Sequence, residues 1–229
     1  MTDLLWTRGD APRATLILAH GAGAPMDASF MNRIAEGLAE RGLAVARFEF
    51  AYMAKRRTTG RKYPPPKAEK LTGEWREAIA AVLAAPDCVG PVVIAGKSMG
   101  GRVAAIAAGE PLDPRVAGLA CLGYPFHGPG RPDEIRLAPL QNGRLPTLIL
   151  QGERDEFGSR AEVETLDVGP HARFEWIADG SHDFGPRGGS PATLKGNVAH
   201  ACDALAAFVL AFADGETTAA TATDPAPAG

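Results

Sequence analysis

The stretch Val92-Val93-Ile94-Ala95-Gly96-Lys97-Ser98-Met99-Gly100-Gly101-Arg102-Val103-Ala104-Ala105 decides the fold. A short β-forming apolar run passes directly into Gly96-Lys97-Ser98-Met99-Gly100, and the alanine-rich remainder (99–108) carries apolar residues at helical spacing. A Gly-x-Ser-x-Gly motif between a strand and a helix is the context that a serine nucleophile on a sharp turn requires. The reason is steric. A side chain at the apex of so tight a turn sits on strained backbone, so the residues flanking it must lack bulk. Gly96 and Gly100 meet that demand, and Gly101 lets the helix approach the sheet. Ser98 is therefore expected to stand at the C-terminal edge of the sheet, with a helix N-terminus behind it. The free N–H groups there favour developing negative charge.

Outward from this motif, apolar runs alternate with helix-like stretches. Strands are expected at 15–19 (TLILA), 44–50 (AVARFEF), 92–95, 117–122 (AGLACL), 147–151 (TLILQ) and 173–177 (RFEWI). Several are apolar on both faces, as in strands buried between helix layers. Helices are expected at 28–41, 69–85, 99–108 and 193–212, with Asp27 capping the first and Ser190 the last. The alternation predicts an α/β fold with a mostly parallel central sheet and helices on both faces. Residues 54–68 (AKRRTTGRKYPPPKA) are basic and proline-bearing and read as an irregular, solvated loop. The other reading of that segment is a cationic lip for carboxylate- or phosphate-bearing esters. Residues 214–229 (DGETTAATATDPAPAG) are small and polar and are expected to be a disordered tail after a single domain spanning 1–213.

Composition narrows the class. With 229 residues and 45% hydrophobic side chains the chain is long enough to bury one core. A net charge of -3 gives no bias toward nucleic acid or anionic membrane. Cys88, Cys121 and Cys202 are odd in number and widely spaced, which fits neither a disulfide framework nor a metal site. No secretory signal and no apolar run of about 20 residues is evident, so a cytoplasmic location is expected. No metal and no organic cofactor is expected.

A serine hydroxyl needs a base and an orienting acid. In this chain order the acid follows the serine and the histidine follows the acid. Asp155 lies in the turn after the 147–151 strand (GERDEFG), with Glu153 as the next choice. His182 lies in the loop after the last strand (ADGSHDF). All three then fall on one sheet edge, where open α/β folds bind ligands. The strand at 15–19 exits into His20-Gly21-Ala22-Gly23, a turn suited to presenting a backbone N–H to the nucleophile. The amides of Ala22 and Met99 are the expected oxyanion donors, with Gly23 a substitute for Ala22. Among the other histidines, His20 is expected to brace its loop, His171 to lie at the opposite edge and His200 to lie within the final helix. His127 follows a strand and joins Tyr52, Tyr124 and Phe157 as candidate pocket residues. Phe50, Met53 and Phe126 are further candidates for an acyl pocket or, equally, for the core.

Taken together, AHGAG, GKSMGG, LQGERDEFG and DGSHDF resemble the α/β-hydrolase superfamily over about residues 14–212. More narrowly, the chain looks like the small, cap-poor hydrolases of its dienelactone-hydrolase-like group. The strings AHGAGAPMDASFM, RFEFAYM, GKSMGGR, CLGYPFH and GERDEFG resemble a bacterial branch related to testis-expressed and NSL-complex-subunit proteins. The resemblance implies an α/β-hydrolase fold with a minimal cap or none. It also implies Ser98, Asp155 and His182 as a triad, with Ala22 and Met99 as oxyanion donors. Dienelactone hydrolases proper carry a cysteine nucleophile, and here that position is Ser98. The expected activity is hydrolysis of a small or water-soluble carboxylic ester or thioester through an acyl-enzyme. The partner is then a small molecule rather than nucleic acid or membrane. The alternatives are a non-catalytic scaffold on the same fold, or a peptidase or carbon–carbon hydrolase using the same triad.

Overall fold

The computed structural model describes residues 2–215. An N-terminal strand that the sequence pattern does not announce, β1 (Leu4–Arg8), comes first. The six expected runs follow as β2 (Ala14–Ala19), β3 (Leu43–Phe48), β4 (Val92–Lys97), β5 (Val116–Leu122), β6 (Thr147–Gly152) and β7 (Ala172–Ile177). They form one sheet in the order β1-β3-β2-β4-β5-β6-β7. β1 runs antiparallel to β3 and every other pairing is parallel. Every residue of β2, β3, β4 and β6 is buried, which explains their lack of apolar–polar alternation. β1 is a five-residue, half-buried edge strand, too short for its pattern to stand out.

The helices are α1 (Ser29–Ala39), α2 (Ala51–Thr59), α3 (Thr72–Leu83), α4 (Met99–Ala108), α5 (Ala138–Gln141), α6 (Arg160–Val163) and α7 (Leu194–Ala213). One core lies between the sheet and the α1–α7 pair, where Ile34, Leu38, Leu205 and Phe208 meet Leu16, Val45 and Leu148. The other lies under α3 and α4, where Trp75, Val82 and Val103 meet Ile17, Phe48 and Ile94. Trp75 is fully buried, and its Nε1 donates to the Gly100 carbonyl at 3.2 Å. That bond ties α3 to the turn carrying Ser98.

Four sequence expectations are corrected. Both helix caps differ: Ala28 precedes α1 with no side-chain cap, and Thr193, not Ser190, caps α7 by accepting from the Gly196 N–H. The basic segment is half helical, because α2 continues to Thr59 and Gly60 ends it at φ 67°. Tyr52 and Met53 bury one side of α2, Glu74 takes the Ala51 N–H at 2.6 Å, and Arg57 bridges Glu49 and Asp27. Only the stretch from Gly60 to the prolines is irregular. Asp214 caps the end of α7 and pairs with Arg13, so the chain is ordered to there; the rest of the expected tail, 216–229, lies outside the described residues. Finally, α7 is long and apolar enough, by length and composition, to cross a membrane. Here its apolar side is packed on α1 and the sheet, as in a core helix.

Candidate active site

The central position of β4 puts Ser98 at the middle of the sheet edge, flanked by the loops that follow β2 and β5. Ser98 has φ 51° and ψ −117°, a conformation that costs a non-glycine residue about 1–3 kcal/mol. The turn leaves no room for bulk on either side. A Cβ on Gly96 would lie 2.2 Å from the Gly100 carbonyl carbon, and one on Gly100 would lie 2.5 Å from the His20 oxygen.

Asp155 follows β6 and is fully buried. Its Oδ1 accepts the Phe157 N–H at 2.9 Å, which fixes the carboxylate across its own turn. His182 Nδ1 lies 2.9 Å from Asp155 Oδ2 and 3.0 Å from Oδ1, and the His182 side chain is 14% exposed. The nearby acids have other partners. Glu153 takes the Asp179 N–H and pairs with Arg160, Asp179 pairs with Arg154 and Arg187, and Asp183 pairs with Lys97. The loop carrying His182 looks mobile in sequence but is tied at several points. Asn197 of α7 donates to the carbonyls of Ala178 and Phe184 at 2.9 and 2.8 Å, and Arg154 Nε donates to the Asp179 carbonyl at 3.1 Å.

The loop after β2 is braced from behind. His20 Nδ1 donates to the Gly21 carbonyl at 2.6 Å, and its Nε2 accepts the Phe50 N–H at 3.1 Å. Burial holds the His20 pKa below the ordinary value, so this ring is neutral and structural. Tyr52 Oη donates to the Ala22 carbonyl at 3.1 Å. With its carbonyls held this way, the loop packs beside the Ser98 turn: a Cβ on Gly21 would lie 3.6 Å from Ser98 Cβ. Met99 is the first residue of α4, so its N–H has no acceptor within the helix.

A cavity of about 330 Å³ opens over these groups. Ser98, His182, Ala22 and Phe157 line it, and so do Phe30, Met31, Lys97 and Asp183, none of which the sequence marks as pocket residues. The Phe157 ring meets His182 edge-on with 4.5 Å between centroids. Three pocket candidates lie elsewhere. Tyr52 is buried behind the Ala22 loop. Tyr124 is fully buried, with its hydroxyl on the Arg136 carbonyl at 2.9 Å. His127 is buried against Gly128 and does not line the Ser98 cavity. All three follow strands at the correct edge, yet the chain turns their side chains back into the body of the protein. Phe50 and Phe126 are likewise core residues, as is Met53. His171 precedes β7 at the far edge, and His200 on α7 pairs with Glu175, as their positions in the chain suggested. Gly123, not singled out from the sequence, makes room for the dyad. At φ 66° it brings backbone so close that an added Cβ would lie 3.1 Å from His182 Nδ1 and 3.2 Å from Asp155 Oδ2.

A family model described as an alpha/beta hydrolase domain matches residues 12–210. No curated protein sequence matches the chain. Similar solved structures include an alpha-beta serine hydrolase homologue from Coxiella burnetii, 21% identical over 91% of each chain with a TM-score of 0.65. A dienelactone hydrolase from Anabaena variabilis is 20% identical over 88% of this chain and 89% of its own, with a TM-score of 0.67. The esterase domain of a Rhodothermus marinus protein is 16% identical over 93% and 98%, with a TM-score of 0.61. At these identities the likeness establishes the fold.

Proposed function

Starting from the chain's membership of the alpha/beta hydrolase family, we propose that it is a serine hydrolase acting on small or water-soluble carboxylic esters or thioesters. One observation carries the reading: a buried Asp155 carboxylate holds the His182 ring at 2.9 Å, in the cavity that the strained Ser98 turn enters. His182 Nε2 takes the Ser98 hydroxyl proton as Oγ attacks the carbonyl carbon, and Asp155 stabilises the imidazolium. The Met99 and Ala22 amides receive the oxyanion. The alcohol or thiol leaves with the proton from His182. Water, deprotonated by the same ring, then attacks the acyl carbon, releasing the carboxylic acid and restoring Ser98.

Substrate size follows from the walls. The cavity is small, and among the described residues the connection from β5 to β6 carries only the four-residue α5 as a helix, so it contributes no large helical lid. Short acyl chains fit this space better than long ones. The test is hydrolysis of p-nitrophenyl acetate and butyrate, with acid-quenched samples weighed intact. Turnover with an acyl adduct on Ser98, and a loss of at least about a thousand-fold in Ser98→Ala, supports the reading. Equal rates in Ser98→Ala overturn it.

A further inference from the structure

Lys97 is the residue before the nucleophile and the last of β4, and its side chain is only 7% exposed. It is the buried cation of the catalytic cavity. Its stem packs beside the Ala22 loop, where a Cβ on Gly21 would lie 3.6 Å from Lys97 Cγ. Its ammonium stands 5.5 Å from the centre of the Phe30 ring and 3.2 Å from Asp183 Oδ1. Phe30, Asp183, Ser98 and His182 line the same cavity with it.

The ion pair is unequal. Lys97 is buried, whereas the Asp183 side chain is 73% exposed. An exposed carboxylate gains little from such a pair, because water and salt compete for it. A buried ammonium needs an anion, because desolvation penalises its charged form. Burial accordingly pulls the Lys97 pKa down, while Asp183, Asp155 and Glu156 act in the opposite sense. An apolar side chain of the same length would fill the site without that cost. The seat therefore pairs a buried lysine, held in place by its surroundings, with an exposed and replaceable carboxylate.

We propose that Lys97 is a specificity-determining residue whose ammonium binds a free carboxylate carried by the ester substrate, displacing Asp183. This rests on the serine hydrolase reading and narrows it to hydrogen esters or thioesters of short dicarboxylic acids, or esters with an acidic leaving group. A carboxylate is favoured over a phosphate monoester because one ammonium balances one charge, and the seat already holds a carboxylate.

The test compares mono-p-nitrophenyl esters of succinate, glutarate and adipate with neutral p-nitrophenyl esters of matched length. The readout is the ratio of kcat/KM, anionic over neutral. The wild type is expected to favour at least one anionic ester, through KM. Lys97→Met should reduce that ratio about ten- to a hundred-fold, the scale of a hydrogen bond to a charged group, and Asp183→Asn should raise it. A purely structural lysine would lower both rates together and leave the ratio unchanged, which overturns the proposal, as does a wild type without preference. If the wild type cleaves neither ester set, the hydrolase reading fails, and glutarate binding by calorimetry then decides. Binding that Lys97→Met abolishes sustains the subsite, and binding absent or unaffected removes it.

Discussion

Gly123→Ala separates the dyad from the backbone that carries it. At φ 66° an alanine pays about 1–2 kcal/mol for left-handed backbone. Its Cβ would also arrive 3.1 Å from His182 Nδ1 and 3.2 Å from Asp155 Oδ2, so one of the two must give by a few tenths of an ångström. Asp155 is fully buried and bonded to the Phe157 N–H, so the shift falls on the imidazole. On the serine hydrolase reading, where a full ångström of misplacement costs about a hundred-fold, a shift of a few tenths in the imidazole should slow the reaction several-fold, up to about ten-fold. Gly130 is the control: it has the same φ of 66°, and a Cβ there meets nothing within 4 Å. Urea unfolding and kcat/KM on p-nitrophenyl butyrate should show both variants somewhat destabilised and only Gly123→Ala slowed. Equal rates in folded Gly123→Ala and Gly130→Ala would refute the role assigned to the His182–Asp155 contact.

Asp179, whose carboxylate takes the Arg187 N–H and pairs with Arg154, is held at about 2 against an ordinary 3.8. A lowered carboxyl pKa stabilises the fold above the unfolded value, and that contribution is lost as pH falls through the folded one. The Tm deficit of Asp179→Asn should thus be full at pH 7, shrink below pH 3.8 and vanish near 2; a deficit independent of pH would contradict this. Burial raises the thiol pKa of Cys121, and that of Cys202 to about 11, whereas Cys88 is half-buried. A disulfide-exchange dye should modify Cys88 alone in the native protein and all three thiols in denaturant, and a second fast thiol would show the core to be open. Thr193→Ala removes the α7 cap and should cost about 1 kcal/mol in urea melts. No change there would mean that the bond to the Gly196 N–H contributes nothing.

Much of this architecture is local in origin, and therefore readable. The buried strands betray themselves as unbroken apolar runs, and Gly96 is required by a contact within the Ser98 turn, although Gly100 is required by the His20 backbone at the exit of β2. Asp155 and His182 are legible from their place after β6 and β7. What escaped depends on partners far away in sequence. The helix α2 runs through a basic stretch because Glu74 caps it and Glu49 and Asp27 neutralise Arg57. The prolines at 64–66 disguised it, although Gly60 was a visible stop. The rigidity of the His182 loop comes from Asn197 and Arg154, which no local pattern announces. Tyr124 and His127 were misjudged because strand order gives the edge on which a residue falls but not the direction in which its side chain turns. No local pattern marks Lys97; its burial beside Asp183 does.

The proposed chemistry stands on Ser98 being an activated nucleophile. Covalent labelling by a fluorophosphonate probe, with the modified residue located by mass spectrometry, tests it most directly. Wild-type protein should be labelled at Ser98, with labelling abolished in Ser98→Ala and slowed severely in His182→Ala. Folded wild-type protein that stays unlabelled, or label that persists in Ser98→Ala, would contradict the account.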